Sequence, residues 1–193
     1  MGTGVIFITL HAPSFIIKET CMTKAADFLR QLSDMADRFA MWISILYAFL
    51  VTLVVLGSVF LRMAGRAPSW SEEFSRWLLI GIAFISSSIA LKRGGHIGIT
   101  ALIKILPFRP LVTGIIQLSN ILVLTFLAYV VWFGMDAAIQ ALPQTGDIIP
   151  VSALYVKLHI PIGAILMIVH VLYYAVAVTA SDDPTQFLLS QST

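Results

Sequence analysis

The chain has 193 residues, of which 59% are hydrophobic and 11% are charged. Soluble domains contain about 25% charged residues, so a soluble fold of this size would have too few polar side chains to cover its surface. A bilayer solvates that apolar surface, and the composition therefore indicates an integral membrane protein. The net charge of +2 is too small to indicate a nucleic-acid partner, and the single cysteine, Cys21, allows neither an intrachain disulfide nor a cysteine metal site.

The residues before the first predicted span carry no recognisable targeting sequence. The first basic residue is Lys18, and the apolar run at 5–10 is too short for the core of a signal peptide and has no cleavage site after it. We therefore expect no cleaved signal and interpret residues 1–21 as a flexible leader. Because the leader has an unusual composition and Met22 follows it, we also hypothesise that translation begins at Met22.

Four long apolar stretches predict four membrane-spanning helices. They place a membrane domain at 22–180, with spans at about 39–61, 70–92, 111–135 and 152–180, followed by a polar tail at 181–193. At 1.5 Å per residue the first span covers about 35 Å, which is enough for a hydrocarbon core of about 30 Å. Pro161 is expected to kink the fourth span or to widen a turn near its start.

Two shorter helices are predicted beside the spans. From Ala25 to Phe39 the apolar residues recur at helical spacing and the opposite face is charged, which predicts an interfacial amphipathic helix leading into the first span. After Gly94 and Gly95, residues 100–106 predict a short cytoplasmic helix between spans 2 and 3. The predicted fold is therefore all-α, with four transmembrane helices and these two additional helices.

The basic residues predict the orientation of the chain in the membrane. With four spans, both termini and the loop after span 2 share one side, which holds eight basic residues, whereas the other side holds four. The eight are Lys18, Lys24, Arg30, Arg38, Lys92, Arg93, Lys104 and Arg109, and the four are Arg62, Arg66, Arg76 and Lys157. Both termini are therefore expected to be cytoplasmic.

The middle of every predicted span lacks Asp, Glu, Lys and Arg, and only His170 is both ionisable and deep. A coupled transporter usually places an ionisable residue inside the membrane to bind an ion, a proton or the substrate. The pattern therefore argues against a self-sufficient secondary transporter and against a proton pump. A facilitator that uses only neutral groups remains an alternative.

Neutral polar residues do occur within the predicted spans. Ser87, with serines on either side of it, lies in span 2, and Gln117 and Asn120 lie three residues apart in span 3. We predict that these side chains make interhelical hydrogen bonds, with Gln117 and Asn120 as the best candidates for a buried one. A polar permeation path is the alternative interpretation.

The start of span 2 combines a tryptophan with three charged residues. Glu72 and Glu73 precede Arg76 at spacings that favour ion pairs on one helix, and Trp70 stands just before them. Such a group is typical of a helix end at the membrane interface, with carboxylates near the positive end of the helix dipole. The other interpretation is that one or more of these residues docks onto a partner protein.

The histidines raise the question of haem, because paired histidines in a membrane bundle can hold b-type haem. Only one pair, His96 with His170, is conceivable, and structural histidines are the favoured interpretation. The chain contains no G-x-S-x-G, H-E-x-x-H, phosphate-loop or dinucleotide-binding motif. We therefore predict no catalytic residue, no metal ligand and no cofactor.

The order of several short motifs resembles the small membrane subunit of tripartite ATP-independent periplasmic (TRAP) transporters, the DctQ type. The motifs are Trp70-Ser-Glu-Glu-Phe-Ser-Arg76, Ala90-Leu-Lys-Arg-Gly-Gly-His-Ile97, Leu106-Pro107, Ile149-Pro150, Tyr155, Ile160-Pro-Ile-Gly163 and Leu166-Met167. The resemblance extends over about 36–178. Thr100 departs from the aspartate that is usual there, although threonine can also cap the short helix.

The resemblance implies a role in a three-part transporter of the bacterial inner membrane. A periplasmic protein would deliver an organic acid, a large membrane subunit would move it inward with sodium, and this chain would bind and brace the large subunit. The expected partner-interface residues are Trp70, Glu72, Glu73, Arg76, His96 and Tyr155. Lys92, Arg93, Lys104 and Arg109 are expected to anchor the chain to anionic membrane lipids.

Two other functions remain open at this stage. A stand-alone channel or facilitator would form by oligomerisation of four-span units, and a b-haem protein or membrane enzyme is the third interpretation. Uptake by the chain alone would favour the facilitator, and an absorption spectrum would test for haem.

Overall fold

The computed structural model describes residues 13–66, 68–94 and 109–180, with side chains described for 26–66, 68–93 and 111–179. The start of the predicted leader, the predicted short helix at 100–106, His96, Lys104 and the polar tail lie outside the described residues. The side chain of Arg109 also lies outside them.

The described chain forms five helices, and its only β pairing is an isolated bridge between Thr145 and Ser152. The helices are α1 (Pro13–Met63), α2 (Trp70–Gly94), α3 (Arg109–Gln140), α4 (Leu154–Lys157) and α5 (His159–Ala180). Four segments are long and apolar enough to cross a membrane, namely Ala26–Met63, Trp70–Arg93, Leu111–Gln140 and Leu154–Thr179. The predicted all-α fold with four transmembrane helices is confirmed.

The predicted amphipathic helix and the first span form one continuous helix of 51 residues. Pro13 stands at the first helical position, where its missing N–H costs nothing, and no glycine or proline follows it before Gly57. The helix ends in a Schellman turn, in which Arg66 N–H donates to the Leu61 carbonyl and Gly65 N–H to the Arg62 carbonyl. Gly65 adopts a left-handed φ of 75° at this turn, which favours glycine there.

Helix α5 is the centre of the arrangement. Helices α1 and α2 pack on each other and on α5, whereas α3 packs mainly on α5. Leu127 of α3 meets Ala164 and Val171 of α5 in the main apolar cluster. On the side toward α2, a Cβ at Gly163 would lie 2.6 Å from the Phe84 carbonyl oxygen, so a glycine allows this close backbone approach.

The fourth span is divided at Leu158, three residues before Pro161, close to where a kink or a widened turn was expected. Leu158 separates α4 from α5, and α5 begins at His159, so Pro161 lies in the first turn of α5. An N–H in the first turn has no partner within its own helix, and proline is tolerated there without a break.

Candidate functional site

Glu73, in the first turn of α2, holds the loop between α3 and α4 (residues 141–153). Its Oε1 accepts a hydrogen bond of 2.8 Å from the Asp147 N–H, and its Oε2 accepts bonds of 2.9 Å from the N–H groups of Ile148 and Ile149. Hydrogen bonds from N–H groups to a carboxylate are stronger than those between neutral groups. One side chain therefore fixes three consecutive residues of the loop onto α2.

The loop is also braced internally, mainly by Ser152. The Ser152 hydroxyl donates to the Leu142 carbonyl at 2.9 Å and accepts from the Leu154 N–H at 3.2 Å. Across the bridge, the Ala153 N–H donates to the Gln144 carbonyl at 2.8 Å. These bonds satisfy backbone groups that a helix would otherwise pair, so the loop has a defined conformation.

Gly146 lies directly against Glu73. A Cβ at this position would overlap Glu73 Oε1 and would lie 2.8 Å from the Ile149 carbonyl oxygen and 2.9 Å from Trp77. Only glycine fits without displacing the carboxylate that fixes the loop. This glycine is part of the same unit as Glu73.

The two predicted ion pairs of Arg76 are not formed, because the acids have other partners. Glu72 pairs with Arg62 at 3.4 Å across the α1–α2 turn, and Glu73 is taken up by the loop. Among the described residues, Arg76 has no carboxylate within 4 Å. Its exposed guanidinium is therefore available to a group outside the described part of the chain.

Arg76 borders a groove of about 410 Å³ between α2 and the loop, which we call the loop groove. Its lining residues are Ser69, Glu72, Glu73, Arg76, Trp77 and Ile80 of α2 and the turn before it, together with Thr145, Gly146, Asp147, Ile148, Ala153, Val156 and Lys157. Two aromatic residues at the same end of the molecule are exposed, Trp70 at 47% and Tyr155 at 61%. Trp70 also makes an edge-on contact with Phe74.

A tyrosine–histidine pair joins α1 to α5 below this groove. His159 Nδ1 lies 3.0 Å from the Val156 carbonyl, which can only accept, so Nδ1 carries the proton and Nε2 accepts from the Tyr47 hydroxyl at 3.0 Å. Gly81 of α2 faces both rings, and its hypothetical Cβ would lie 3.0 Å from His159. Both nitrogens of His159 are thus engaged within the chain.

At the opposite end of the molecule, Lys92 and Arg93 bind acids of α1 instead of serving only as free lipid anchors. Lys92 Nζ lies 2.8 Å from Asp34 and 3.7 Å from Asp37, and it donates to the Ser33 carbonyl at 3.2 Å. Arg93 lies 3.5 Å from Asp37. The side chain of Lys92 is only 16% exposed and is engaged by these acids, whereas its contact with lipid headgroups stays a prediction. The side chain of Arg93 is exposed, so it can also contact lipid headgroups.

His170 lies beside this charge cluster and is fully buried. Its Nδ1 shares a hydrogen bond of 2.8 Å with the Ser33 hydroxyl, whereas its Nε2 has no partner within the described residues. Tyr174, one turn later on α5, donates to the Lys92 carbonyl. These contacts attach α1 and the end of α2 to α5.

The predicted interhelical residues differ in what they do. Gln117 donates to the Ala175 carbonyl of α5 at 3.0 Å, which is a bond between helices. Asn120 is 1% exposed, but neither polar atom of its side chain has a partner in the described residues. Ser87 is exposed and donates to its own helix, and the serine that bonds across to α1 is Ser86, which donates to Ser44 at 3.0 Å.

Several residues that connect the helices were not identified from the sequence. Asp34 and Asp37 lie on the charged face of the predicted amphipathic helix, and Ser33 was given no role. Tyr47 gave no signal, because a tyrosine in an apolar run is also typical of a lipid-facing residue. The sequence does contain a signal for the charge cluster. Asp34 and Asp37 lie about one helical turn apart on α1, and the adjacent basic residues Lys92 and Arg93 lie near the end of α2.

The described residues contain no group of three His, Cys, Asp or Glu side chains that could hold a metal ion. The residues brought together at the loop end hold a loop, border a groove and leave two cations, Arg76 and Lys157, facing it. This arrangement suits binding and positioning.

The comparisons with known proteins agree with this assessment. Residues 51–180 match the family described as tripartite ATP-independent periplasmic transporters, DctQ component. No curated protein matches the chain. The matched segment covers about two thirds of the chain and includes α2, α3, α4, α5 and the loop held by Glu73. The chain therefore belongs to the DctQ family, the small membrane component of TRAP transporters.

Proposed function

We propose that this chain binds and braces the large permease subunit of its transporter during sodium-coupled uptake of an organic acid. Members of the DctQ family work in the inner membrane within a complex that contains a large permease and a binding protein, and they are not enzymes. The bracing role, the sodium coupling and the class of substrate are the parts that we propose.

The observation that carries the proposal is the attachment of the loop to α2 by Glu73. A brace must present its surface at a fixed position, and a free loop of 13 residues (141–153) would not. With three N–H groups bound by one carboxylate, the loop moves together with α2. The charge cluster connects α2 to α1, the Tyr174 hydroxyl connects α5 to the end of α2, and the tyrosine–histidine pair connects α1 to α5.

The surface that we propose for the large subunit lies at the loop end, the end of the molecule that carries the loop at 141–153 and the start of α2. Trp70 and Tyr155 supply exposed aromatic side chains, the residue type that most often carries binding energy at protein interfaces. Arg76 borders the same surface, and Glu72 and Glu73 act by positioning their neighbours. His96 was also predicted to contact the partner and remains a proposal.

The orientation that we propose follows from the basic residues, with both termini cytoplasmic. The loop end then faces the periplasm, where the binding protein arrives. Arg93, Lys104 and Arg109 would contact anionic headgroups at the cytoplasmic face, each contributing about 1 kcal/mol near the surface.

The test is co-expression with the large subunit, followed by affinity purification and uptake measurement. Glu73→Ala leaves three loop N–H groups without their acceptor, and we expect recovery of the complex and the uptake rate to fall by about fivefold or more, about 1 kcal/mol of lost binding. Asp136→Ala is the matched control, because Asp136 is an exposed acid whose carboxylate accepts a hydrogen bond from Gln140 on its own helix, and its loss should change both quantities by less than twofold.

Unchanged recovery and uptake with Glu73→Ala would overturn the proposal. The amount of variant chain in the membrane fraction must be measured in parallel, so that a loss of folding is not scored as a loss of binding.

A further inference from the structure

We propose that the loop groove binds the headgroup of a zwitterionic phospholipid that carries a primary ammonium, such as phosphatidylethanolamine. This inference goes beyond the proposed function, since it requires only this chain and a membrane. It rests on the order in which charged and apolar side chains follow each other from the N-terminal end of α2 toward the middle of the membrane.

Two cations line the groove at its deeper level. Arg76 is exposed, and Lys157 lies opposite it on α4. Within the described ranges neither side chain has an acidic partner within 4 Å, whereas Arg62 and Arg93 each have one and Lys92 has two. A pair of cations without acids fits a phosphate, which accepts hydrogen bonds from both.

Three acids line the groove, and the carboxylate of one of them, Glu73, is held by three loop N–H groups, which leaves Glu72 and Asp147 at its outer level. Glu72 lies one turn above Arg76 on the same helix, a rise of about 6 Å. Asp147 is held at the level of Glu73 by its own N–H, and its exposed carboxylate accepts no hydrogen bond within the described residues. In the exposed pair with Arg62 only Oε1 of Glu72 is engaged within the described residues, so Oε2 can accept a further donor.

The depth of Lys157 follows from its neighbour. His159, two residues later, packs against Gly81, which is more than two turns further into α2 than Glu72. Lys157 therefore lies nearer to the middle of the membrane than the two acids do. The groove thus has carboxylates outside and cations inside.

This order matches a zwitterionic phospholipid that stands in a bilayer. The phosphate lies next to the hydrocarbon, and the ammonium lies nearer to water, about one helical turn away. Trp77, Ile80 and Val156 belong to the apolar part of the lining, and Ile80 is partly exposed one turn below Arg76, where an acyl chain would begin. An anionic headgroup without an ammonium would leave the two acids facing negative charge.

The test uses the full chain, purified in detergent and titrated with phosphatidylethanolamine or phosphatidylglycerol of identical acyl chains, with bound lipid counted by native mass spectrometry. Wild type should bind one phosphatidylethanolamine in preference to phosphatidylglycerol. Arg76→Gln with Lys157→Gln should weaken binding by about 25-fold, because each surface cation contributes about fivefold. Glu72→Gln with Asp147→Asn should remove the preference and retain the binding.

Arg66→Gln is the matched control, since Arg66 is an exposed cation at the same end of the molecule and does not line the groove. It should bind lipid as wild type does, and a melting curve on each sample shows that the variants are folded. Equal binding of both lipids by wild type would overturn the proposal. It would also be overturned if the variant lacking both cations bound phosphatidylethanolamine as wild type does, because the cations would then not hold the phosphate.

Discussion

Glu73 and Gly146 form a unit in which each residue requires the other. The carboxylate can reach three loop N–H groups only because the loop backbone approaches within contact distance, and that approach needs a residue without a side chain. The two residues are 73 positions apart in the chain. Their interdependence makes the loop end sensitive to single-atom changes that leave every helix intact.

Gly146→Ala should therefore lower the stability of the chain by about 1 to 3 kcal/mol, the usual cost of forcing extra volume into a packed site. The added methyl would displace the Glu73 carboxylate or the Ile149 carbonyl. Thermal unfolding in detergent measures the effect. Gly114→Ala is the control: nothing lies within 4 Å of its Cβ position, and alanine favours a helix, so stability should be equal or higher.

At the residue scale, the sequence located polar positions correctly but could not assign their partners. Three consecutive serines at 86–88 are spaced by about 100° around a helix, so only one of them can face α1. Which one does depends on the rotation of α2 against its neighbours. That rotation is set by contacts between distant residues, such as Gly81 with Tyr47 and Gly163 with Phe84, and no local pattern encodes it.

The elements themselves were predictable, because a bilayer requires long apolar helices and little else. What the sequence did not give was the orientation of the first part of α1. Its charged face was expected to meet water, but Asp34 and Asp37 meet Lys92 and Arg93 instead, while Phe28 and Met35 are exposed on the other face. An amphipathic pattern shows that a helix has two faces, and neighbouring helices decide where each face points.

Removing Lys92, the cation at the centre of the charge cluster, tests whether that cluster attaches α1 to α2. Lys92→Ala removes the 2.8 Å partner of Asp34 and one of the two cations beside Asp37, whose Oδ1 already has no partner among the described residues, and the Ser33 carbonyl loses a donor. We expect a loss of about 2 to 4 kcal/mol, in the range for breaking a partly buried pair. Hydrogen exchange should increase at 26–38 while the centre of α3 stays protected.

Arg93→Ala serves as the comparison at the same helix end. Its pair with Asp37, at 3.5 Å, is longer than the 2.8 Å pair of Lys92 with Asp34, and its own side chain is 57% exposed, so the loss should stay below about 1 kcal/mol. Equal effects of the two substitutions would contradict the assignment of Lys92 as the residue that attaches α1.

On the scale of the whole molecule, the packing is uneven. Helices α1, α2 and α5 contact one another and are tied together at both ends, by Tyr47 with His159 and by the charge cluster. Helix α3 packs mainly against α5 and exposes large side chains, including Trp132 at 73% and Phe126. Such a structure offers a stiff unit with wide apolar faces, which suits assembly with lipid and with a larger membrane protein.

The same view predicts what the chain does in isolation. Reconstituted alone in liposomes, it should accumulate no solute in response to a sodium gradient, because the middle of its spans carries no Asp, Glu, Lys or Arg to bind a coupling ion. Together with the large subunit and the loaded binding protein, uptake should appear, and it should be slower when this chain is omitted. Counting labelled organic acid inside the vesicles measures all three cases. Sodium-driven accumulation by the chain alone would mean that neutral groups suffice for coupling. The chain would then be a complete transporter, and the proposed bracing role would be wrong.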